Sequence, residues 1–201
     1  MKRLIIATGN MGKLNEIKEI MNTDEIEIIS MKEAGVDIDI VEDGKTFEEN
    51  ALIKAKAVCG ACGEIVLSDD SGLEVDYLNK EPGIYSARYM GEDTPYSIKN
   101  AEILKRLEGV PDEKRTGRFV CAVAAAFPNG EEIVVTETME GRIGYEERGE
   151  NGFGYDPIFR PDGYEVSSGE LPMEEKNLIS HRGKAFRRMW AILSKREEFK
   201  Q

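Results

Sequence analysis

The opening residues, Arg3 to Ser30, limit the fold more than any other stretch. "RLIIAT" is a short apolar run suited to a buried strand. It is followed by "GNMGKLNEIKEIM", in which Leu14, Ile17 and Met21 recur at helical spacing. A second apolar run, "IEIIS", comes at once. Strand, tight turn, helix and strand form a βαβ unit, and such a unit implies a parallel pair of strands.

The rest of the chain extends this plan. In "TFEENALIKAKAVCGACG" Thr46 precedes Glu49 at capping-box spacing, and Phe47, Ala51 and Ala55 lie along one side of the expected helix. That helix leads into "EIVLSDDSGLEVD". There the apolar run Ile65, Val66 and Leu67 reads as a strand that ends by delivering Asp69 and Asp70 into a serine-glycine turn. "TPYSIKNAEILKRLEG" predicts a helix with Ile98, Ala101, Ile103 and Leu104 buried and Gly109 near its end. The period then changes. "GRFVCAVAAAFPNGEEIVVTETMEGRIG" predicts two long strands around the turn Pro128-Asn129-Gly130, a hairpin expected to be the sheet of a second lobe. In the tail, Phe186, Met189, Ile192 and Leu193 mark an amphipathic helix. The expectation is an α/β fold with a mixed sheet and flanking helices, partly parallel in its first half and antiparallel in its middle. At 201 residues, it should form one folding unit.

Charge narrows the partners. Lys and Arg number 27 against 39 Asp and Glu, a net charge of -12 that opposes binding to nucleic acid or an acidic membrane surface. A small anion remains possible where positive charge is gathered locally. No apolar stretch approaches the roughly 20 residues that span a bilayer, and the apolar run in "MKRLIIATGN" is too short for a secretory signal. A cytoplasmic protein is expected. Cys59 and Cys62 have the spacing of zinc and redox sites, but Cys121 and His181 are far away in sequence, and both read as small structural residues.

Four places carry residues suited to chemistry. The turn "ATGNMGK" sets Thr8, Gly9, Asn10 and Gly12 before a helix, where free backbone N–H groups and the helix dipole favour an anion. Lys13, in the first helical turn, is electrostatically misplaced unless an anion lies opposite. Phosphate binding and a plain βα turn weigh equally on this stretch alone. Asp69 and Asp70 repel unless a cation or a shared proton sits between them. Upstream, "DIDIVEDGKTFEEN" offers Glu42 and Asp43, with Lys54 on the following helix. Glu42 with Asp70 would supply the one or two carboxylates that Mg²⁺ takes from a protein, whereas Glu42 and Asp43 alone read as acidic surface. In "GENGFGYDPIF", Phe153 stands between two glycines where its ring could stack on a nucleobase and Asp156 could bond polar edges, or the ring could simply pack at a strand entry. Ser180 looks like an N-cap with His181 and Arg182 just inside the helix, cations at the wrong end of the dipole. They form a buried structural pair or donors aimed at a ligand.

Six ordered motifs, "ATGNMGKLNEI", "TFEENALIKA", "DDSGLEVD", "PGIYSARY", "GFGYDPIF" and "EKNLISHRGKA", run almost from end to end. On them the chain resembles the inosine triphosphate pyrophosphatase family, which hydrolyses noncanonical purine nucleoside triphosphates. The resemblance implies that Thr8, Asn10 and Lys13, with Gly9 in the same turn, hold a triphosphate, with Lys54 nearby. It implies that Glu42 and Asp70 bind Mg²⁺, that Asp70 accepts a proton, and that Ser71 touches substrate. Phe153, Gly154, Tyr155 and Asp156 would form the nucleoside pocket with Lys176, His181 and Arg182. Asp69, turned away from Asp70 by strand alternation, would tune the metal site as the second member of the catalytic pair. The family further implies a homodimer and an elongated single ITPase-like domain over 1–201, with two lobes around an active cleft. The expected reaction gives a nucleoside monophosphate and pyrophosphate, with ITP, dITP and XTP good substrates and ATP a poor one. The alternatives are a related pyrophosphatase of different base preference and a nucleotide-binding module without turnover; the acidic set Glu42, Asp69 and Asp70 argues against the latter.

Overall fold

A computed structural model describes residues 2–23 and 26–199 of the chain; Met1, Asp24, Glu25, Lys200 and Gln201 lie outside the described residues. The expected opening unit is present as β1 (Lys2–Ile6), α1 (Met11–Met21) and β2 (Ile26–Ser30). Leu4, Ile5 and Ile6 are all fully buried, as a strand covered on both faces requires. β1 pairs in parallel with β2, Lys2 opposite Ile26 and Ile6 opposite Ser30. It also pairs in parallel with β3 (Val66–Val75), through Ile5 with Val66 and Ile6 with Leu67.

Between β2 and β3 lies α2 (Phe47–Cys62), capped by Thr46, whose Oγ1 accepts from Glu49 N at 3.1 Å. The reciprocal half of the capping box is displaced by one residue, since the Glu49 carboxylate accepts from Lys45 N and not from Thr46 N. After β3 come β4 (Glu81–Pro82), α3 (Tyr96–Arg106), β5 (Thr116–Ala126), β6 (Glu132–Ile143), β7 (Phe159–Pro161), α4 (Met173–Ile179) and α5 (His181–Leu193). One sheet holds every strand among the described residues, in the order β2-β1-β3-β5-β6-β7 with β4 added antiparallel to β3. Its second half includes the antiparallel pair β6–β7, so the sheet is mixed.

Four expectations are corrected. β3 does not end at the aspartates: it runs unbroken from Val66 through Asp69, Asp70, Ser71 and Gly72 to Val75. Neighbouring strands and satisfied side chains override the local turn preference of Asp, Ser and Gly. Ser68, for example, donates its hydroxyl to Ala51 O. The β5–β6 hairpin, turned at Gly130 with a φ of 88°, makes no sheet of its own and continues the first one beside β3. On α3, Ile98 and Ala101 face solvent, and the buried side carries Lys99, Asn100 and Ile103. Lys99 is tolerated there because its ammonium donates to Ala87 O and lies over the Tyr96 ring. On α5, Ile192 is exposed while Phe186, Met189 and Leu193 are fully buried.

The chain gathers into two compact units. The first comprises Met1–Asp70, Cys121–Glu137 and Arg182–Gln201, around Leu4, Ile6, Leu14, Leu67, Val123 and Phe186. The second comprises Ser71–Val120 and Thr138–His181, around Leu73, Ile103, Phe119, Met139, Tyr155 and Phe159. Among the described residues, no helix is long and apolar enough to cross a membrane.

Candidate active site

In the first unit the chain leaves β1 at Ile6 and enters α1 at Met11. Thr8 Oγ1 accepts from Asn10 N, and Asn10 Oδ1 accepts from Lys13 N, both at 3.1 Å, so the turn is held by its own side chains. Gly9, Asn10 and Gly12 remain exposed, and the first turn of α1 has no acidic residue. The anion that Lys13 demands is internal: its Nζ lies 2.7 Å from Asp69 Oδ1. Arg182 Nε approaches the other oxygen of Asp69 at 3.4 Å, and its Nη1 lies 2.9 Å from Glu16 Oε2. Burial would raise the Asp69 carboxyl, but Lys13, Arg182 and Lys54 hold it well below the usual carboxylate range. Against its own burial, Arg182 is held firmly protonated by Asp69 and Glu16.

Strand alternation turns Asp70 to the opposite face. Its Oδ2 accepts from Asn50 Nδ2 at 3.1 Å, and its Oδ1 lies 4.0 Å from Lys54 Nζ, which is also 2.8 Å from Glu42 Oε2. Burial raises the Asp70 carboxyl; Lys54 and Asn50 oppose the shift, Glu42 and Asp69 add to it, and the balance lies above the ordinary value. The two adjacent carboxylates are therefore shifted in opposite directions by their neighbours. Ser71 follows on β3 and is half-buried.

The donor chemistry at Glu42 and Asp70 fits a hard divalent cation. Both offer carboxylate oxygens, and one lysine lies close to both. Among the described residues no group of three or more His, Cys, Asp or Glu forms a protein metal cage. A pair of carboxylates is what Mg²⁺ takes when water and phosphate fill its remaining positions.

In the second unit Phe153 is 57% exposed, between Gly152 and Gly154, which have φ of 75° and 70°. Asp156 Oδ2 accepts from Phe153 N at 2.8 Å and from the buried Lys176 Nζ at 2.5 Å. That ammonium also lies 5.4 Å from the centre of the Phe153 ring. Thus Phe153, Asp156 and Lys176 form one constellation. Tyr155 is buried, with its hydroxyl donating to Ser86 O at 2.7 Å and its ring edge-on to Tyr96, so it anchors the loop in the core. Gly154 O accepts from Asn100 Nδ2, which also donates to Glu147. His181 opens α5 and stacks on Phe119, ring centres 4.9 Å apart.

Asn50, Glu16, Asn100 and Glu147 were not singled out by sequence reading. For Asn50 a signal existed. It lies four residues before Lys54, so both occupy one face of α2, and a buried asparagine needs partners. The remaining three become visible only through contacts distant in sequence.

A family profile described as the Ham1 family matches residues 4–192. The chain is 48% identical over 199 residues to a protein of Caldanaerobacter subterraneus subsp. tengcongensis named dITP/XTP pyrophosphatase, covering 98% of this chain and 99% of that one. It is 46% identical over 195 residues to the Clostridium perfringens protein of the same name, covering 94% and 96%. The solved structure of the Staphylococcus aureus Ham1 protein superposes with a TM-score of 0.88 at 40% identity, over 96% of this chain and 98% of that one. A HAM1 protein from Coxiella burnetii gives 0.90 at 38% identity, over 98% and 100%.

Proposed function

The chain belongs to the Ham1 family, and from that membership we propose that it hydrolyses noncanonical purine nucleoside triphosphates such as dITP, XTP and ITP to the monophosphate and pyrophosphate. The observation that carries the reading is the arrangement around β3: Asp69 pairs with Lys13 at 2.7 Å, while Asp70 on the opposite face accepts from Asn50 at 3.1 Å and shares Lys54 with Glu42. Asp70 takes the proton of the attacking water as the water oxygen bonds to the α phosphorus. The bond from that phosphorus to the bridging oxygen breaks, and pyrophosphate leaves with the electron pair. Lys13 and Lys54 meet the triphosphate as point charges, and Thr8, Gly9 and Asn10 offer the turn at the start of α1. Incoming phosphate competes with Asp69 for Lys13, whose ammonium is already aimed by that pairing.

Mg²⁺ is the proposed cofactor, held by Glu42 and Asp70, and its chemistry there is neutralisation of charge on the triphosphate oxygens. Ser71 is a further substrate contact. The nucleoside is assigned to Phe153, Gly154, Tyr155, Asp156 and Lys176, with His181 and Arg182. Phe153 stacks on the base without distinguishing purines. Arginine has only donors and histidine can present one, which suits the 6-oxo acceptor of hypoxanthine or xanthine and opposes the 6-amino group of adenine. The reading also includes a single domain over 1–201, a homodimer and a cytoplasmic location.

A panel of ITP, dITP, XTP, GTP, ATP and modified pyrimidine triphosphates, assayed for pyrophosphate with and without Mg²⁺ in water enriched in oxygen-18, tests it. Pyrophosphate release from the 6-oxo substrates with label in the monophosphate is expected. Orthophosphate as the product, or label in pyrophosphate, would overturn it.

A further inference from the structure

The segment that carries Glu42 has no regular secondary structure between Val36 and Gly44, so nothing in a ladder or helix fixes that carboxylate. Helix α2 tethers it at two points. One tether is the Lys54 ammonium on Glu42 itself. The other is Asn50, 1% exposed, whose Oδ1 accepts from Gly44 N at 2.9 Å. The same side chain uses its Nδ2 to donate to Asp70 Oδ2 at 3.1 Å. A single planar amide thus joins the backbone two residues beyond Glu42 to the carboxylate of Asp70. The approach is close: a Cβ on Gly44 would stand 2.6 Å from Asn50 Oδ1 and 2.8 Å from Glu49 Cβ. Glycine is needed here for proximity, since its φ lies outside the left-handed range.

We propose that Asn50 is the positioning residue of the cation site, a pin that sets the spacing between Glu42 and Asp70, with Gly44 as its obligatory backbone partner. Only an amide fits both duties. Gly44 N requires an acceptor and Asp70 requires a donor, and asparagine supplies the two from one rigid plane. Glutamine has the same groups one methylene further out, so it can satisfy one partner but not hold both at this spacing. The inference rests on the assignment of Glu42 and Asp70 as cation ligands. Groups that orient ligands in this way typically contribute 10–100-fold to metal affinity.

The test is direct binding of Mn²⁺ to the full chain without nucleotide, followed by electron paramagnetic resonance, for wild type, Asn50→Ala, Asn50→Gln, Gly44→Ala, and the double variant Asn50→Ala with Gly44→Ala. Each single variant should weaken binding about 10-fold or more. The double variant should be little worse than the weaker-binding single, because both remove one pin. In turnover, the metal concentration for half-maximal rate should rise while saturating metal restores most of kcat, a rescue that a general loss of structure would not give. Wild-type Mn²⁺ affinity in Asn50→Ala or Asn50→Gln would overturn the proposal. Glu42→Gln and Asp70→Asn separate the two levels. If they bind Mn²⁺ like wild type, the ligand assignment falls; if they lose it while the Asn50 variants do not, only the pin falls.

Discussion

At the scale of single residues, the site depends on which neighbour each carboxylate meets. Asp69 is 3% exposed and faces two cations, whereas Asp70, one peptide later, faces one ammonium shared with Glu42. Replacing Asp70 by asparagine fills the same space but removes the proton acceptor. A general base contributes about 10²–10⁴-fold. Pyrophosphate release in Asp70→Asn should therefore fall by at least about 10²-fold with circular dichroism unchanged, and near wild-type turnover would exclude Asp70 from proton transfer. Arg182 calls for a different experiment. Its guanidinium is buried between Asp69 and Glu16, so Arg182→Ala leaves two carboxylates without their cation. A loss of about 3–5 kcal/mol in urea unfolding is expected; a loss under about 1 kcal/mol would show that Lys13 alone compensates Asp69. Base preference measured on that variant has meaning only where the protein is folded.

At the scale of elements, legibility follows how local the cause is. β1, α1, β2 and α2 were readable because their apolar spacing and the cap at Thr46 lie within each segment. β3 was readable only to Asp70. Its continuation through Ser71 and Gly72 to Val75 depends on neighbours brought from elsewhere in the chain, which no local rule contains. α3 misled because periodicity ranks Ile98 above Lys99, while Lys99 is the one with a carbonyl and a ring waiting for it. α4 was not anticipated: it has seven residues, and its buried position is a lysine paired to Asp156. At the site, Lys13's need for an anion was legible, but that Asp69 meets it was not. The loop before β7 gives a test at this scale. Gly152 has φ of 75°, and a Cβ there would stand 2.3 Å from Asp156 Oδ2 and 2.8 Å from Lys176 Nζ. Gly152→Ala must break the Asp156–Lys176 pairing or shift the loop, at a cost above about 1 kcal/mol. KM for ITP should rise while Mn²⁺ affinity in the other unit stays the same. An unchanged KM would remove this loop from nucleoside binding.

At the scale of the whole molecule, stability responds to pH through 39 Asp and Glu residues on a chain of net charge -12. The wild-type curve therefore sums many titrations, and a difference between variants isolates one carboxyl. The adjacent aspartates should give differences of opposite sign. Asp69 has its folded pKa depressed, so its contribution is fully present above the unfolded value of about 3.9 and is lost as pH falls toward the folded one. Asp69→Asn should thus melt below wild type at pH 7, and the gap should close as the pH drops below about 4. Asp70 has its folded pKa raised, so its ionised form costs stability above that pKa, and the cost vanishes as protonation completes below about 3.9. In chelator, to keep divalent cations away, Asp70→Asn should melt above wild type at pH 7, with the gain shrinking on acidification. Thermal melts of the three proteins from pH 7 to pH 3.5 decide the matter. If both variants shift Tm in the same direction at neutral pH, the two carboxyls do not experience opposite fields, and the division of roles between Asp69 and Asp70 loses its physical basis.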